Sequence, residues 1–411
     1  MAELALQLPH LCTQPVPLLK WGRTKSVTFS QQQIACLLAN AFFCTFPRRN
    51  AKSRTSEFSN YPSINFNSLF DVPTGIVTFT RQSKDKFPEW YNIETPLSRL
   101  HISAEGTIED DGIGLLQVDF ANRFLGGGVL GHGCVQEEIR FLICPEMLIS
   151  RLITECLEPN ECLIMKGCER FSNYDGYAST FKWSGNYIDT TPRDSWGHIC
   201  TEVVAIDALV IHDYGRQFRK DLVKRELNKA YCGFSSATKN PLHLSAVCTG
   251  NWGCGAFGGD KRLKALIQLM AASQANRDTC YFTFDDKILR DDIFKIHQYL
   301  TETNQLGIGT ILKLIQQYDK NVVKKSHRKP KITLFEYVIK VFDGSLENTD
   351  DEEEEEDCGR SQEAEYWNSN DNIEWKTAKM IEKESLKDSK ISPKSSTVKR
   401  QDSVDYKADT P

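Results

Sequence analysis

Leu115–Glu138, LLQVDFANRFLGGGVLGHGCVQEE, is the stretch around which the 411-residue chain is organised. Leu115, Leu116 and Val118 are an apolar cluster of strand type, and Asp119 stands where such a strand gives way to a loop. In open α/β sheets ligands bind beyond the carboxyl ends of strands, so the spacing places Asp119 and Asn122 to meet one. Gly126, Gly127 and Gly128 then strip the backbone of side chains, which tolerates positive φ and lets amide groups approach an anion. The predicted guest is a phosphate.

Gly126-x-Gly128-x-x-Gly131 also fits the dinucleotide fingerprint G-x-G-x-x-G. The fingerprint needs a helix opening directly on the loop and a ribose-binding acid about 20 residues further on. Here Cys134, Val135 and a Gln-Glu-Glu triplet follow, and Glu138 comes too early, so a nicotinamide dehydrogenase is the weaker reading. Consecutive side chains diverge by about 100° on a helix, which gives Glu137 and Glu138 different jobs. A carboxyl crowded by other negative charge and by burial keeps its proton to higher pH, as a general acid for glycosidic cleavage requires. The plainer alternative is an exposed acidic helix start favoured by the macrodipole.

Gly126-Gly127-Gly128, seven residues, then Gln136-Glu137-Glu138 resembles the signature of the poly(ADP-ribose) glycohydrolases of vertebrate type, and the similarity extends from about Leu8 to about Tyr318. The resemblance implies a macrodomain-like three-layer α/β/α core that hydrolyses ribose-ribose O-glycosidic bonds in poly(ADP-ribose) carried on modified proteins. It implies no cofactor and no metal, with nuclear or cytoplasmic localisation. Among the catalytic positions, Glu138 would protonate the departing ribose 2′-oxygen and then deprotonate the attacking water. Glu137 and Asp119 would hold ribose hydroxyls. Ile108, Glu109, Asn122, Gln136 and Tyr177 would line the nucleoside end with Phe284 beside them, and Asn251, Trp252, Gly253, Cys254, Gly255 and Ala256 would enclose the diphosphate. A non-catalytic ADP-ribose reader on the same fold remains the alternative.

Around the signature, three regions are expected: a helical accessory segment over 1–72, the catalytic core over 73–345, and an acidic, disordered tail over 346–411. Ser30 to Cys44 reads as a helix, opened by the capping-box pattern Ser30-x-x-Gln33 and carrying Ile34, Leu37, Leu38, Ala41 and Phe42 on one face. Pro47 to Lys52 ends it in a basic turn. The family carries a further helix-bearing segment between the motif written here Asn65-Phe66-Asn67-Ser68-Leu69-Phe70 and Pro73-Thr74-Gly75, whereas only Asp71 and Val72 separate them in this chain. The Ser30 helix is therefore expected to lack a packing partner.

Strands are expected over Gly75–Arg81, Leu97–Ile102, Cys162–Gly167, Val203–Leu209, Leu242–Val247 and Thr279–Phe284. Helices are expected over Pro145–Thr154, Asp221–Phe234, Asp260–Arg277, Asp291–Thr301 and Ile308–Tyr318. The second glycine-rich loop, Gly250 to Gly259, runs from a strand into a helix start and reads as a diphosphate cradle.

A net charge of -5 supplies no global basic field, which argues against recognition of nucleic acid by bulk electrostatics. Fourteen cysteines without C-x-x-C pairs, and no signal-peptide pattern, point to reduced intracellular thiols. No apolar run reaches the roughly 20 residues of a membrane span. Asp350 to Asp357 is eight consecutive acids in a tail poor in apolar residues, suited either to a protein partner or to plain solvation.

Overall fold

The computed structural model describes residues 1–43, 74–236, 244–326 and 329–345. Their strands are, in chain order, β1 (Lys25–Ser30), β2 (Ile76–Ser83), β3 (Leu100–Ser103), β4 (Leu116–Asp119), β5 (Glu161–Lys166), β6 (Ser172–Asp175), β7 (Lys182–Asn186), β8 (Glu202–Ala205), β9 (Val247–Thr249) and β10 (Thr279–Phe282). Eight of them form one sheet in the order β1-β2-β5-β8-β4-β9-β10-β3, and β6 and β7 pair as a separate hairpin. From β8 to β3 every pairing is parallel, and from β1 to β8 every pairing is antiparallel.

The sheet is buried on both faces, and the alternation of its side chains shows it. Val203 and Ala205 of β8 belong to one core, while Val204 between them belongs to the other. Helices Lys220–Phe234, Lys261–Gln274 and Ile308–Tyr318 cover one face, and helices Gln31–Phe42 and Gln136–Ile143 cover the other. This is the three-layer α/β/α arrangement that the sequence leads one to expect.

The N-terminal segment is more than an accessory set of helices. Its strand β1 extends the main sheet by pairing with β2 in a register that sets Val27 opposite Phe79. Helix Gln31–Phe42 opens on the reciprocal capping box of Ser30 and Gln33, and Ile34, Ala35, Cys36 and Leu37 on it are completely buried. It packs on helices Ala2–Leu6 and Leu8–Leu11 and on the turn Pro145–Ile149. The expectation that this helix lacks a partner is thus corrected: short N-terminal helices that carry no strong periodic signal supply one.

Arg81 of β2 ties the same region together from inside. Its guanidinium pairs with Glu161 and donates to the carbonyls of Leu19, Glu155 and Cys156 at 2.8–3.0 Å. A fully buried pair is tolerated when its remaining donors are satisfied in this way.

Other boundaries move. The strand expected over Leu242–Val247 begins at Val247 and ends at Thr249, because the run that pairs with β10 is Val247-Cys248-Thr249. Pro145–Thr154 is a 3₁₀ turn over Pro145–Ile149 followed by one α turn, Ser150–Ile153. The β6-β7 hairpin and the helix Leu334–Phe342 are additional elements. The basic turn Pro47–Lys52, the Asn65–Phe70 motif with its short junction to Pro73, Leu242, and the tail 346–411 with its acidic run lie outside the described residues.

Candidate active site

The site forms where β4, β9 and β10 end, at their carboxyl edge. Helix Gln136–Ile143 starts there, and Gln136 fastens it to β4: its Oε1 accepts from the Phe120 amide at 2.8 Å and its Nε2 donates to the Val118 carbonyl at 3.1 Å. The next two residues turn their carboxylates to the glycine run. Glu137 Oε1 accepts from the Gly126 amide at 2.6 Å and its Oε2 from the Asn122 amide at 2.8 Å. Glu138 Oε1 accepts from the Gly128 amide at 2.9 Å, and its Oε2 from the Val135 amide at 3.0 Å.

Adjacent on the helix, the two acids therefore hold different parts of one loop. Gly127 lies between them with φ +43°, and a Cβ there would stand 2.5 Å from Glu138 Oε1 and 2.8 Å from Glu137 Oε2. Gly126 also has positive φ, at +80°, whereas Gly128 does not. On the carbonyl side of the run, Arg151 Nη1 donates to Leu125 O and Gly127 O, both at 2.9 Å. No spacing rule pointed to Arg151. The Gly126 and Gly128 amides meet the chain's own carboxylates, which corrects the expectation of a phosphate there: an anion already inside the chain occupies them.

Behind the pair lies Asp119, completely buried, with neither carboxylate oxygen hydrogen-bonded to any described residue. Burial pushes its carboxyl up to about 8, with Glu138 adding to the rise and the Arg140 guanidinium opposing it. Glu137 is raised well above the usual carboxylate range, first by burial and then by the charges of Asp119 and Glu138. Of the three acids only Glu138 and Glu137 keep any surface, 7% and 3%, whereas Asp119 has none. The expected contact between Asp119 and a ribose finds no exposed carboxylate oxygen in this structure. The exposed acidic helix start is also set aside, since Glu137 and Glu138 are both buried.

Across the cleft, the second glycine loop connects β9 to helix Lys261–Gln274. Asp260 caps that helix, accepting from the Arg262 and Leu263 amides at 3.0 Å each, so the helix terminus itself is already satisfied by an acid. The loop is anchored from below. Trp252 is fully buried with its Nε1 donating to Ile206 O at 2.9 Å, and Lys264 Nζ sits 4.1 Å from its ring centroid while pairing with Glu226. Gln268 Nε2 donates to Gly250 O at 3.0 Å. Gly253 has φ +72° and lies against Ala208 and Lys264, too close for a Cβ. Asn251 donates to Thr283 O and accepts from Tyr281 OH, each at 3.2 Å. At the exposed tip, the amides of Gly255 and Ala256 donate to no described residue. Cys254 is half-buried beneath them, its Sγ donating to Trp252 O at 3.4 Å.

Two aromatics flank the opening. Phe284 is 40% exposed, with φ +53°, and it lies so close over Gly250 that a Cβ there would stand 2.6 Å from its ring. Tyr177 is also largely exposed and its turn is bound to the signature loop through Ala178 N to Cys134 O at 2.9 Å. Glu109 accepts from Tyr174 OH. Ile108 is turned inward onto Cys248, Cys280 and Phe282, and Asn122 Oδ1 accepts from the Phe124 amide at 2.8 Å. Ile108, Gln136 and Asn122 are thus engaged with the protein itself, Glu109 is half-buried against Tyr174, and Tyr177 and Phe284 are exposed. Lys264, Arg140 and Arg151 escaped the sequence reading because a lone basic residue on a helix carries no signal of what it will face.

A mixed α/β/α sandwich with a glycine loop gripped by a carboxylate pair at the sheet's carboxyl edge is a macrodomain-class scaffold. Residues 87–291 match the family described as Poly (ADP-ribose) glycohydrolase (PARG), Macro domain fold, and residues 1–89 match its helical domain. Poly(ADP-ribose) glycohydrolase 1 of Arabidopsis thaliana is 30% identical over 408 residues, spanning 76% of this chain and 72% of that protein. Poly(ADP-ribose) glycohydrolase 1 of Caenorhabditis elegans is 36% identical over 318 residues, spanning 72% of this chain and 40% of that protein. The solved poly(ADP-ribose) glycohydrolase of Thermomonospora curvata is 13% identical with a TM-score of 0.30, over 72% of this chain and 98% of that one, a likeness too distant to carry an inference. The chain belongs to the poly(ADP-ribose) glycohydrolase family.

Proposed function

We propose that this chain hydrolyses the ribose-ribose O-glycosidic bonds of poly(ADP-ribose) and releases ADP-ribose, with Glu138 as general acid and then general base. The observation that carries the reading is the seating of Glu137 and Glu138 on one glycine loop at the sheet's carboxyl edge. As the glycosidic bond breaks, its electron pair leaves with the 2′-oxygen, which takes the Glu138 proton. The ribosyl oxocarbenium that remains is attacked by water, and the water's proton returns to Glu138.

Glu137 holds a ribose hydroxyl. A carboxyl whose ionisation is opposed by burial keeps its proton to higher pH than usual, and a protonated carboxyl can donate a hydrogen bond as well as accept one. Asp119 acts through the other two acids rather than on the sugar. The tip amides of Gly255 and Ala256, on a loop stiffened by Trp252 and Asn251, take the diphosphate. Tyr177 and Phe284 pack on the nucleoside, next to Glu109. Purified protein incubated with labelled poly(ADP-ribose) should release ADP-ribose, and an undiminished polymer after long incubation would contradict the assignment.

A further inference from the structure

The chain is acidic overall, yet Lys320 to Lys331, KNVVKKSHRKPK, contains no acid. Lys324, Lys325, Lys329 and Lys331 in it are all exposed. The acids around them are already engaged, one of them by Lys324 itself. Asp319 is paired with Lys324 at 3.5 Å, Asp213 caps its own turn through Gly215 N at 3.1 Å, Asp221 is paired with Arg219, and Glu336 accepts from the Thr333 amide at 2.8 Å. Lys325, Lys329 and Lys331 have no acidic partner among the described residues.

Lys329 of this run is tied to the second glycine loop. Lys329 Nζ lies 5.1 Å from the Tyr214 ring centroid, and Tyr214 OH donates to Asp260, the residue that closes the loop, at 2.9 Å. Three residues before Tyr214, the Ile211 amide donates to the Phe257 carbonyl at 2.8 Å. Val323 packs against Gly215 of the same connection. Lys329 therefore stands one aromatic ring away from Asp260, at the end of the loop whose exposed tip carries Gly255 and Ala256.

We propose that Lys325, Lys329 and Lys331 form a second, non-catalytic polyanion site that takes pyrophosphate groups of the polymer beyond the unit held for cleavage. The assignment rests on the glycohydrolase reading for the identity of the polymer. Each unit of that polymer carries a pyrophosphate, so a chain leaving the cleft along this surface meets one lysine after another. Binding of this kind is electrostatic, weakened by salt, and grows with the number of charges in reach.

The test compares the full chain with its Lys325→Gln/Lys329→Gln/Lys331→Gln variant on polymer of many units and on a two-unit oligomer. KM for the long polymer should rise roughly tenfold, and the slope of log KM against log salt should become shallower by about 2, at about 0.7 per phosphate contact. Turnover of the two-unit oligomer should not change, and the triple Lys→Arg variant should behave as the parent does. A long-polymer KM equal to the parent's, or an equal loss on both substrates, overturns the proposal. Fluorescence anisotropy of labelled polymer, with the same substitutions in a Glu138→Gln background, decides the matter even if the parent proves unable to hydrolyse. Salt-sensitive binding lost in the triple variant supports the site, whereas polymer binding retained while duplex DNA binding disappears overturns it.

Discussion

The Gly126 amide donates to Glu137 Oε1 at 2.6 Å, which makes the glycine run and the acid-bearing helix one unit. Gly127 has no room for a side chain, because a Cβ would drive into both carboxylates at a positive φ. Gly127→Ala should therefore lower polymer hydrolysis by about 100-fold, the scale expected when reacting groups are displaced by an ångström. Gly131→Ala is the control, since its Cβ would meet only Gly128 O at 3.5 Å. Equal activity of the two variants would show the run to be a plain turn.

Asp119 predicts a pH effect on stability. Its carboxyl is raised to about 8 in the fold by burial, against about 3.9 in an unfolded chain. The folded state holds its proton where the unfolded state has lost it, so stability is full below pH 4 and declines as pH rises to about 8. Asp119→Asn removes that decline. Its melting temperature relative to the parent should climb between pH 5 and pH 8, although hydrolysis falls. A difference that stays constant across this range would contradict the assignment of burial as the cause.

Phe284 stands 40% exposed in a left-handed backbone conformation, an arrangement that presents its ring rather than packing it. Stacking of a base on an aromatic ring contributes about 1–3 kcal/mol. Phe284→Ala should weaken ADP-ribose binding by roughly 5- to 150-fold in calorimetry, with little change in melting temperature. Unchanged affinity would remove Phe284 from the nucleoside end.

The N-terminal segment should prove inseparable from the catalytic core. Leu37→Ala on the buried face of helix Gln31–Phe42 should cost about 2–5 kcal/mol. A chain starting at Thr74 would lose β1, leave β2 as a bare edge and uncover Val77 and Phe79. It should aggregate or melt without cooperativity. A melting curve like that of the whole chain would show the segment to be dispensable.

Much of the scaffold was legible because its signals are local. The Leu116–Asp119 strand, the capping box at Ser30 and Gln33, and helix Ile308–Tyr318 each follow from side-chain period and turn chemistry within a few residues. β1 was not legible, since its role as an edge strand depends on a partner about fifty residues away whose register no local pattern reveals. The carboxylate pair was visible as a motif, but its seating was not. A glycine run advertises amides that suit an anion, and sequence cannot say that the anion will be Glu137 and Glu138 of the same chain. Positive φ fell on Gly126 and Gly127 rather than Gly128 for the same reason: three consecutive glycines are equivalent until the fold distinguishes them.

The most direct measurement follows ADP-ribose release from labelled poly(ADP-ribose) by the parent and by Glu138→Gln, with ADP-ribose affinity measured on both. The amide keeps the size of the side chain and loses the proton that the reaction needs. The account predicts matched affinity and hydrolysis lower by about 100-fold or more in the variant, the scale of lost general acid-base catalysis. Comparable hydrolysis by the two proteins would contradict it.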